Sequence, residues 1–240
     1  MAASRRGLLV GAAGLAAVAW SWQKFGVREV NFAFDRIPGL DGWRIGLAGE
    51  MTTPGGSATS AVFLGIGGRE VTPLPASRLC EALFRTAGPG TPVAVFTDAY
   101  CPNCRVMDPM LASRGDLALT WHELPLLGEA SEAAARALTA AELQGSYLAL
   151  KREILGTAFA PVPSRIARIA EAAGLDADRL IRDMDGEAVA TRLAETRSAA
   201  STLAVWGTPA LVIGTSVVMG RLRSEDLDRL LDLPPGTCGA

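Results

Sequence analysis

Cys101 and Cys104, in the stretch VAVFTDAYCPNCRVMDPML (residues 93–111), are the residues of this chain whose type and spacing could do chemistry. They follow a short apolar run rich in β-branched residues and precede a segment with helical spacing, so the pair falls at a strand-to-helix junction. A thiol at a helix N-terminus lies beside unpaired backbone N–H groups at the positive end of the dipole, which favours the nucleophilic thiolate. Cys101 is therefore expected to be the exposed nucleophile. Cys104, one turn into the helix, is expected to be the buried partner that resolves a mixed disulfide. A helix terminus contributes about 0.3 to 1 kcal/mol, up to ~2 when partly buried. At ~1.4 kcal/mol per pKa unit, the dipole alone lowers a thiol of ~8.5 by about one unit or slightly more.

Other chemistries fit these residues less well. A structural zinc site takes four protein ligands, usually a second C-x-x-C or a histidine pair; His122 is the only histidine and the other two cysteines are isolated. No metal site and no cofactor is expected. A purely structural bridge across so small a loop would restrain the unfolded chain very little. Met107 and Met110 are near enough to suggest a soft-metal site, but methionines at helical spacing ordinarily fill a core. His122, within an apparent strand, reads as a packed residue.

The elements that must position the pair are legible around it. The run PVAVF suits a buried strand, with a helix from about Tyr100 to Ala112 and a second strand in LALTWHELPL. Residues 125–206 carry helical periodicity throughout, with Ser131 and Ser164 as candidate N-caps and Gly174 as a stop. TPALVIG and TSVVMG then give two strands joined by a Gly-Thr turn, and SEDLDRLLDL gives a closing helix. Upstream, residues 28–72 alternate short apolar runs (EVNFAF, WRIGLA, SAVFLGIG) with Gly and Pro, and PASRLCEALFRT has a helical apolar face. The sum is an α/β layer with a helical insertion, preceded by a short β-rich segment.

The N-terminus, SRRGLLVGAAGLAAVAW, joins Arg5 and Arg6 to an uncharged stretch, Gly7 to Trp22, of 16 residues. That is shorter than the roughly 20 a membrane-spanning helix needs, so residues 1–22 read as a cleaved export signal, twin-arginine-like or Sec, with an inner-membrane anchor as the alternative. Export to an oxidising compartment favours disulfides. Cys80 and Cys238 are then a candidate structural pair that would contribute on the order of 2 to 4 kcal/mol, against a buried thiol and a loose tail. The chain has 240 residues, is 49% hydrophobic and carries a net charge of −2, with two lysines and twenty-one arginines. It is long enough for a full core, and its charge offers no basic stripe for nucleic acid.

The stretch VFTDAYCPNC resembles the strand and active-site motif of the thioredoxin superfamily, in particular its periplasmic DsbC-type and DsbG-type members. Pro109 stands where thioredoxins carry a helix-kinking proline. VWGTPALVIG is similar to the family's cis-proline loop, which implies a cis Thr208-Pro209 bond beside the disulfide, presenting backbone groups to an extended substrate peptide. ELPLLGEASEAAARALTAAELQGSYLALKREIL and AGLDADRLIRDM look like the helical insertion of DsbA-like oxidoreductases. The resemblance runs from about residue 90 to 232 and implies a thioredoxin-like domain over 73–240. Two positions depart from it. Asn103 replaces the histidine of DsbA between the cysteines, which implies a weaker oxidant. Val95 occupies the place of a buried acid, leaving Asp98 as the candidate proton relay beside its alternative role in the turn. With Pro102, Asn103, Thr208 and Pro209 completing the active-site loop, the resemblance implies a periplasmic protein thiol–disulfide oxidoreductase. An oxidase would be recharged by a membrane redox partner and would act on exported proteins with thiols or disulfides. The alternatives are a DsbC-like isomerase, with residues 28–72 as dimerising segment, and a metal or cytochrome maturation chaperone.

Overall fold

Strand β3 (Thr91–Thr97) is buried from Val93 to Thr97 because it has strands on both sides and helices over both faces. In the computed structural model of the chain, the described residues are 30–54, 71–85, 88–156, 162–234, 236 and 238. The proposed signal, 1–22, and the run SAVFLGIG lie outside them. Among the described residues no helix is long and apolar enough to cross a membrane.

β3 pairs in parallel with β4 (Leu117–Glu123), from Thr91 opposite Leu117 to Thr97 opposite Glu123. A parallel pair needs a crossover, and helix α2 (Pro102–Ala112) supplies it. On its other side β3 runs antiparallel to β5 (Ala210–Ile213), and β5 antiparallel to β6 (Ser216–Met219). The strands found upstream are β1 (Phe34–Arg36) and β2 (Arg44–Leu47), an antiparallel pair that lengthens this same sheet, with β2 parallel to β6. The six-stranded order is β1-β2-β6-β5-β3-β4.

Side chains alternate across a sheet. Ala94, Phe96, Ala210, Val212, Val217 and Met219 form one core with Leu79 and Leu83 of α1 (Ala76–Leu83) and Ala199, Ala200 and Leu203 at the end of α7 (Glu187–Thr202). The alternate set, Val93, Val95, Leu211 and Val218, is fully buried as well. The insertion between β4 and β5 holds α3 (Glu129–Glu142), α4 (Tyr147–Gly156), α5 (Pro163–Ala172), α6 (Ala177–Met184) and α7. Its centre is α3, whose buried alanines (Ala133, Ala134, Ala135, Ala137, Ala140, Ala141) allow close approach to α4, α6, α7 and β4. Helix α8 (Ser224–Leu231) closes the chain.

Two expected caps are corrected. α3 opens with Gly128 at its cap, and Ser131 sits inside the helix because its hydroxyl donates to Asp98 Oδ1 at 2.9 Å. α5 opens at Pro163 after Val162, with Ser164 already helical; proline's fixed φ suits the first helical position. Gly174 adopts φ +77° just past α5, the left-handed stop expected of it. Cys80 on α1 is joined to Cys238 by a disulfide spanning 158 residues, Cα to Cα 5.6 Å.

Candidate active site

The turn after β3 is organised by Asp98. Its buried carboxylate accepts from Tyr100 N (2.8 Å) and Ser131 Oγ (2.9 Å) through Oδ1, and from Leu126 N (2.8 Å) through Oδ2. Its carbonyl accepts from Cys101 N at 3.0 Å. These bonds tie the strand end to the insertion and deliver Cys101 to the N-cap of α2, where its Sγ accepts from Cys104 N at 3.1 Å. Pro102 opens the helix and Pro109 lies within it.

Facing the cap, the loop before β5 brings a cis Thr208-Pro209 bond against the thiols. The Thr208 carbonyl is 3.3 Å from Cys101 Sγ, and Pro209 O accepts from Gly220 N at 2.8 Å. The four loop positions singled out by sequence, Pro102, Asn103, Thr208 and Pro209, thus surround one pair of free thiols, Cys101 and Cys104.

One expectation is corrected here: Cys101 is 0% exposed. Against the sulfur, beside the Thr208 carbonyl and the Cys104 N–H, lies Thr52, which sequence reading did not single out. Thr52 N donates to Thr208 O (2.8 Å) and Thr208 N to Thr52 O (3.0 Å), an isolated antiparallel bridge. Its Oγ1 lies 3.2 Å from Cys101 Sγ and accepts from Asn103 Nδ2 at 3.3 Å. With Asn103 donating to it, the Thr52 hydroxyl can turn its own proton to a thiolate at Cys101. A threonine in a Gly/Pro-rich segment carries no signal of a contact so distant in sequence.

The Cys101 thiol is held down at about 6, chiefly by its hydrogen bond with the Cys104 thiol, against burial, with Thr208, Thr52 and the Cys104 N–H acting the same way. That is lower than the dipole alone predicts, because the dipole argument omits the Cys104 and Thr52 donors. Cys104 moves the opposite way: burial first, then its bond to Cys101 and the charge of Asp108, push its pKa up. The two thiols are therefore differentiated into an acidic sulfur and a proton-retaining one, the arrangement for stepwise thiol–disulfide exchange.

Behind Cys104 lies a buried ionic cluster that sequence reading also missed. Asp108, one turn further along α2, accepts from Thr97 Oγ1 (2.6 Å) and pairs with Lys151 Nζ (2.8 Å) through Oδ2. Lys151 also reaches Glu123 Oε1 (3.1 Å) and Tyr147 OH (2.8 Å), while Tyr147 donates to Glu123. Burial opposes the charge on Lys151, but the two carboxylates outweigh it and keep the ammonium protonated; burial pushes Glu123 upward. Asp108 Oδ1 is buried without a hydrogen-bond partner among the described residues. Val95, where the resemblance puts an acid, is fully buried in β3, so the acid nearest Cys104 in sequence comes from α2 instead.

His122 is packed, as expected. Its Nε2 donates to Leu83 O (3.0 Å), Arg85 donates to its Nδ1 (3.3 Å), and burial holds it neutral, down at about 3. Met107 is buried and its sulfur accepts from Leu222 N at 3.4 Å, a core role. Among the described residues no group of three or more His, Cys, Asp and Glu side chains is placed to hold a metal ion.

Comparison with known proteins agrees with this geometry. The sequence model described as the DSBA-like thioredoxin domain matches residues 92–232, more than half of the chain. A thioredoxin-like oxidoreductase from Silicibacter pomeroyi is 29% identical, with 64% of this chain and 98% of that one covered and a TM-score of 0.56. A periplasmic thioredoxin-like protein from Salmonella enterica serovar Typhimurium is 27% identical over 64% of this chain and 93% of that one, at a TM-score of 0.51. The thiol-disulfide exchange protein alpha-DsbA2 from Wolbachia pipientis shares the fold at 21% identity over 65% and 94%, at a TM-score of 0.56. No curated protein sequence matches.

Proposed function

Because the chain belongs to the DSBA-like thioredoxin domain family of thiol–disulfide oxidoreductases, we propose that it is an exported oxidase, forming disulfides in protein substrates through Cys101 and Cys104. The observation that supports it is the unequal pair: Cys101 Sγ at the N-cap of α2 accepts the Cys104 N–H at 3.1 Å, and its thiol is lowered while that of Cys104 is raised. A stabilised thiolate favours the reduced enzyme over its disulfide, so the disulfide form accepts electrons readily.

In the forward reaction a substrate thiolate attacks Cys101 Sγ of the oxidised pair. The Cys101–Cys104 bond breaks, a mixed disulfide forms at Cys101, and Cys104 leaves with a proton passed by way of Asp108. A second substrate thiolate attacks the substrate sulfur of the mixed disulfide, and Cys101 departs as its favoured thiolate. The substrate loses two electrons and gains a disulfide; of its two thiol protons, one stays on Cys104 and one goes to solvent. A membrane redox partner then reoxidises the pair. In the isomerase reading residues 28–72 are a dimerising segment; among the described residues of that segment β1 and β2 extend the catalytic sheet, which supports the oxidase.

The test is oxidation of reduced, unfolded ribonuclease and reduction of insulin, with wild type and Cys101→Ser. Oxidation by wild type that Cys101→Ser abolishes supports the proposal. Absence of turnover in both assays, with tight copper binding, would replace it with the chaperone reading.

A further inference from the structure

The nucleophile of an enzyme that acts on proteins is sealed under a segment of its own chain, and the manner of sealing resembles a bound substrate. From β2 the chain continues along the end of β6, with Ala48 N donating to Met219 O (2.8 Å) and Glu50 O accepting from Arg221 N (2.8 Å). It then reaches the active-site loop, where Thr52 and Thr208 exchange both backbone hydrogen bonds. That exchange is what a narrow pair in an antiparallel ladder makes, and it occupies the backbone edge of Thr208, whose carbonyl lies 3.3 Å from Cys101 Sγ. Thr52 further places a γ heteroatom 3.2 Å from Cys101 Sγ. A cysteine carried by a peptide in the same register would have its own γ atom, a sulfur, at that place, little more than 1 Å from the ~2.05 Å of a disulfide.

The active-site loop is shaped to accept this segment. A Cβ on Gly207 would come 2.9 Å from Met51 Sδ, 3.1 Å from Thr52 O and 3.3 Å from Thr53 Cγ2. One built on Gly220, at φ +108°, would meet Gly49 O at 2.6 Å. At Gly220 a side chain would displace the backbone of Gly49, and at Gly207 it would displace the end of the Met51 side chain and crowd Thr52 O by a few tenths of an ångström.

We propose that residues 51–53 are an intramolecular pseudosubstrate. They occupy the peptide-binding edge at Thr208, with Thr52 standing in for the substrate cysteine, and an extended, cysteine-containing polypeptide enters by displacing them in the same antiparallel register. This rests on the thiol–disulfide reading above and adds its substrate register and its self-inhibition.

Two measurements test it, neither needing turnover. In a Cys104→Ser background, Thr52→Cys should oxidise to an internal disulfide with Cys101, seen by peptide mapping without reductant, while Thr53→Cys, on the alternate face, should not. In the reduced full-length protein, Thr52→Pro removes the amide hydrogen given to Thr208. It should speed alkylation of Cys101 by about tenfold at a pH where the thiol is fully ionised, as expected for loss of one or two backbone bonds holding a cover closed. Gly207→Ala should act in the same direction by crowding the segment from the other side, which guards against misfolding of the proline variant. Equal crosslinking at 52 and 53, or alkylation unchanged in both opening variants, would overturn the proposal. If turnover fails while these outcomes hold, the oxidase reading falls and the pseudosubstrate contact stands; if Cys101-dependent turnover holds while they fail, the reverse is true.

Discussion

Replacing Lys151 with methionine is the perturbation whose cost the structure makes largest. Its Nζ lies 2.8 Å from Asp108 Oδ2, 3.1 Å from Glu123 Oε1, 2.8 Å from Tyr147 OH and 4.7 Å above the Trp121 ring. The ammonium and both carboxylates are within 3% of full burial. Methionine fills the volume but leaves two carboxylates without their counter-charge, a loss of about 3 to 5 kcal/mol for a broken buried pair. For a chain of this size that corresponds to a fall in Tm of roughly 10 °C. Equilibrium urea unfolding of the oxidised protein measures it directly. Burial already pushes Glu123 upward, and without Lys151 it should rise further, so protonation relieves the defect: the variant should lose less stability at acid pH than at neutral pH. Adding Glu123→Gln to Lys151→Met should recover part of the loss. A cost below about 1 kcal/mol, typical of an exposed pair, would refute the reading of a closed ionic cluster.

Other outcomes follow from the same structure. His122 is neutral in the fold, down at about 3 from an ordinary 6.5, so unfolded chains bind the extra proton between those values. Stability should therefore fall as pH drops below 6.5, with a slope approaching ~1.4 kcal/mol per pH unit, and His122→Gln should flatten it in denaturant titrations. Cys101 contributes with the opposite charge logic: its thiol sits at about 6 rather than 9.0, so reduced protein should gain stability relative to oxidised protein as pH rises from 6 to 9 and lose that gain as pH falls through 6. Cys80→Ser with Cys238→Ser should cost about 2 to 5 kcal/mol without abolishing exchange at Cys101. Asp108→Asn should slow formation of the mixed disulfide, the step in which Cys104 leaves, more than its resolution by the second substrate thiol, measured by rapid quench.

The strand-helix junction of β3 and α2 was legible because a continuous apolar run and a Cys-x-x-Cys cap are local signals. The insertion was legible for the same reason, in its helical periodicity. What escaped was non-local. Lys151 carries no sign of burial in its own helix; the fold alone brings carboxylates from α2 and β4 to it. Ser131 looks like a cap because it precedes an alanine-rich run, yet the Asp98 carboxylate draws its hydroxyl away. Thr52 has no local signature at all, since its role depends on pairing with Thr208 across most of the chain. The direction of the Cys101 shift is legible from the helix terminus, whereas the thiol and hydroxyl donors that fold onto the sulfur leave no trace in the sequence.

The account turns on an ionised sulfur at the cap of α2. Ultraviolet thiolate absorbance of the reduced wild-type protein, followed against pH with Cys101→Ser as the blank, reads that ionisation whether or not Thr52 covers the atom. A transition near pH 6, absent from the blank, is the predicted result; a single transition near 9, as for an unperturbed thiol, would contradict it.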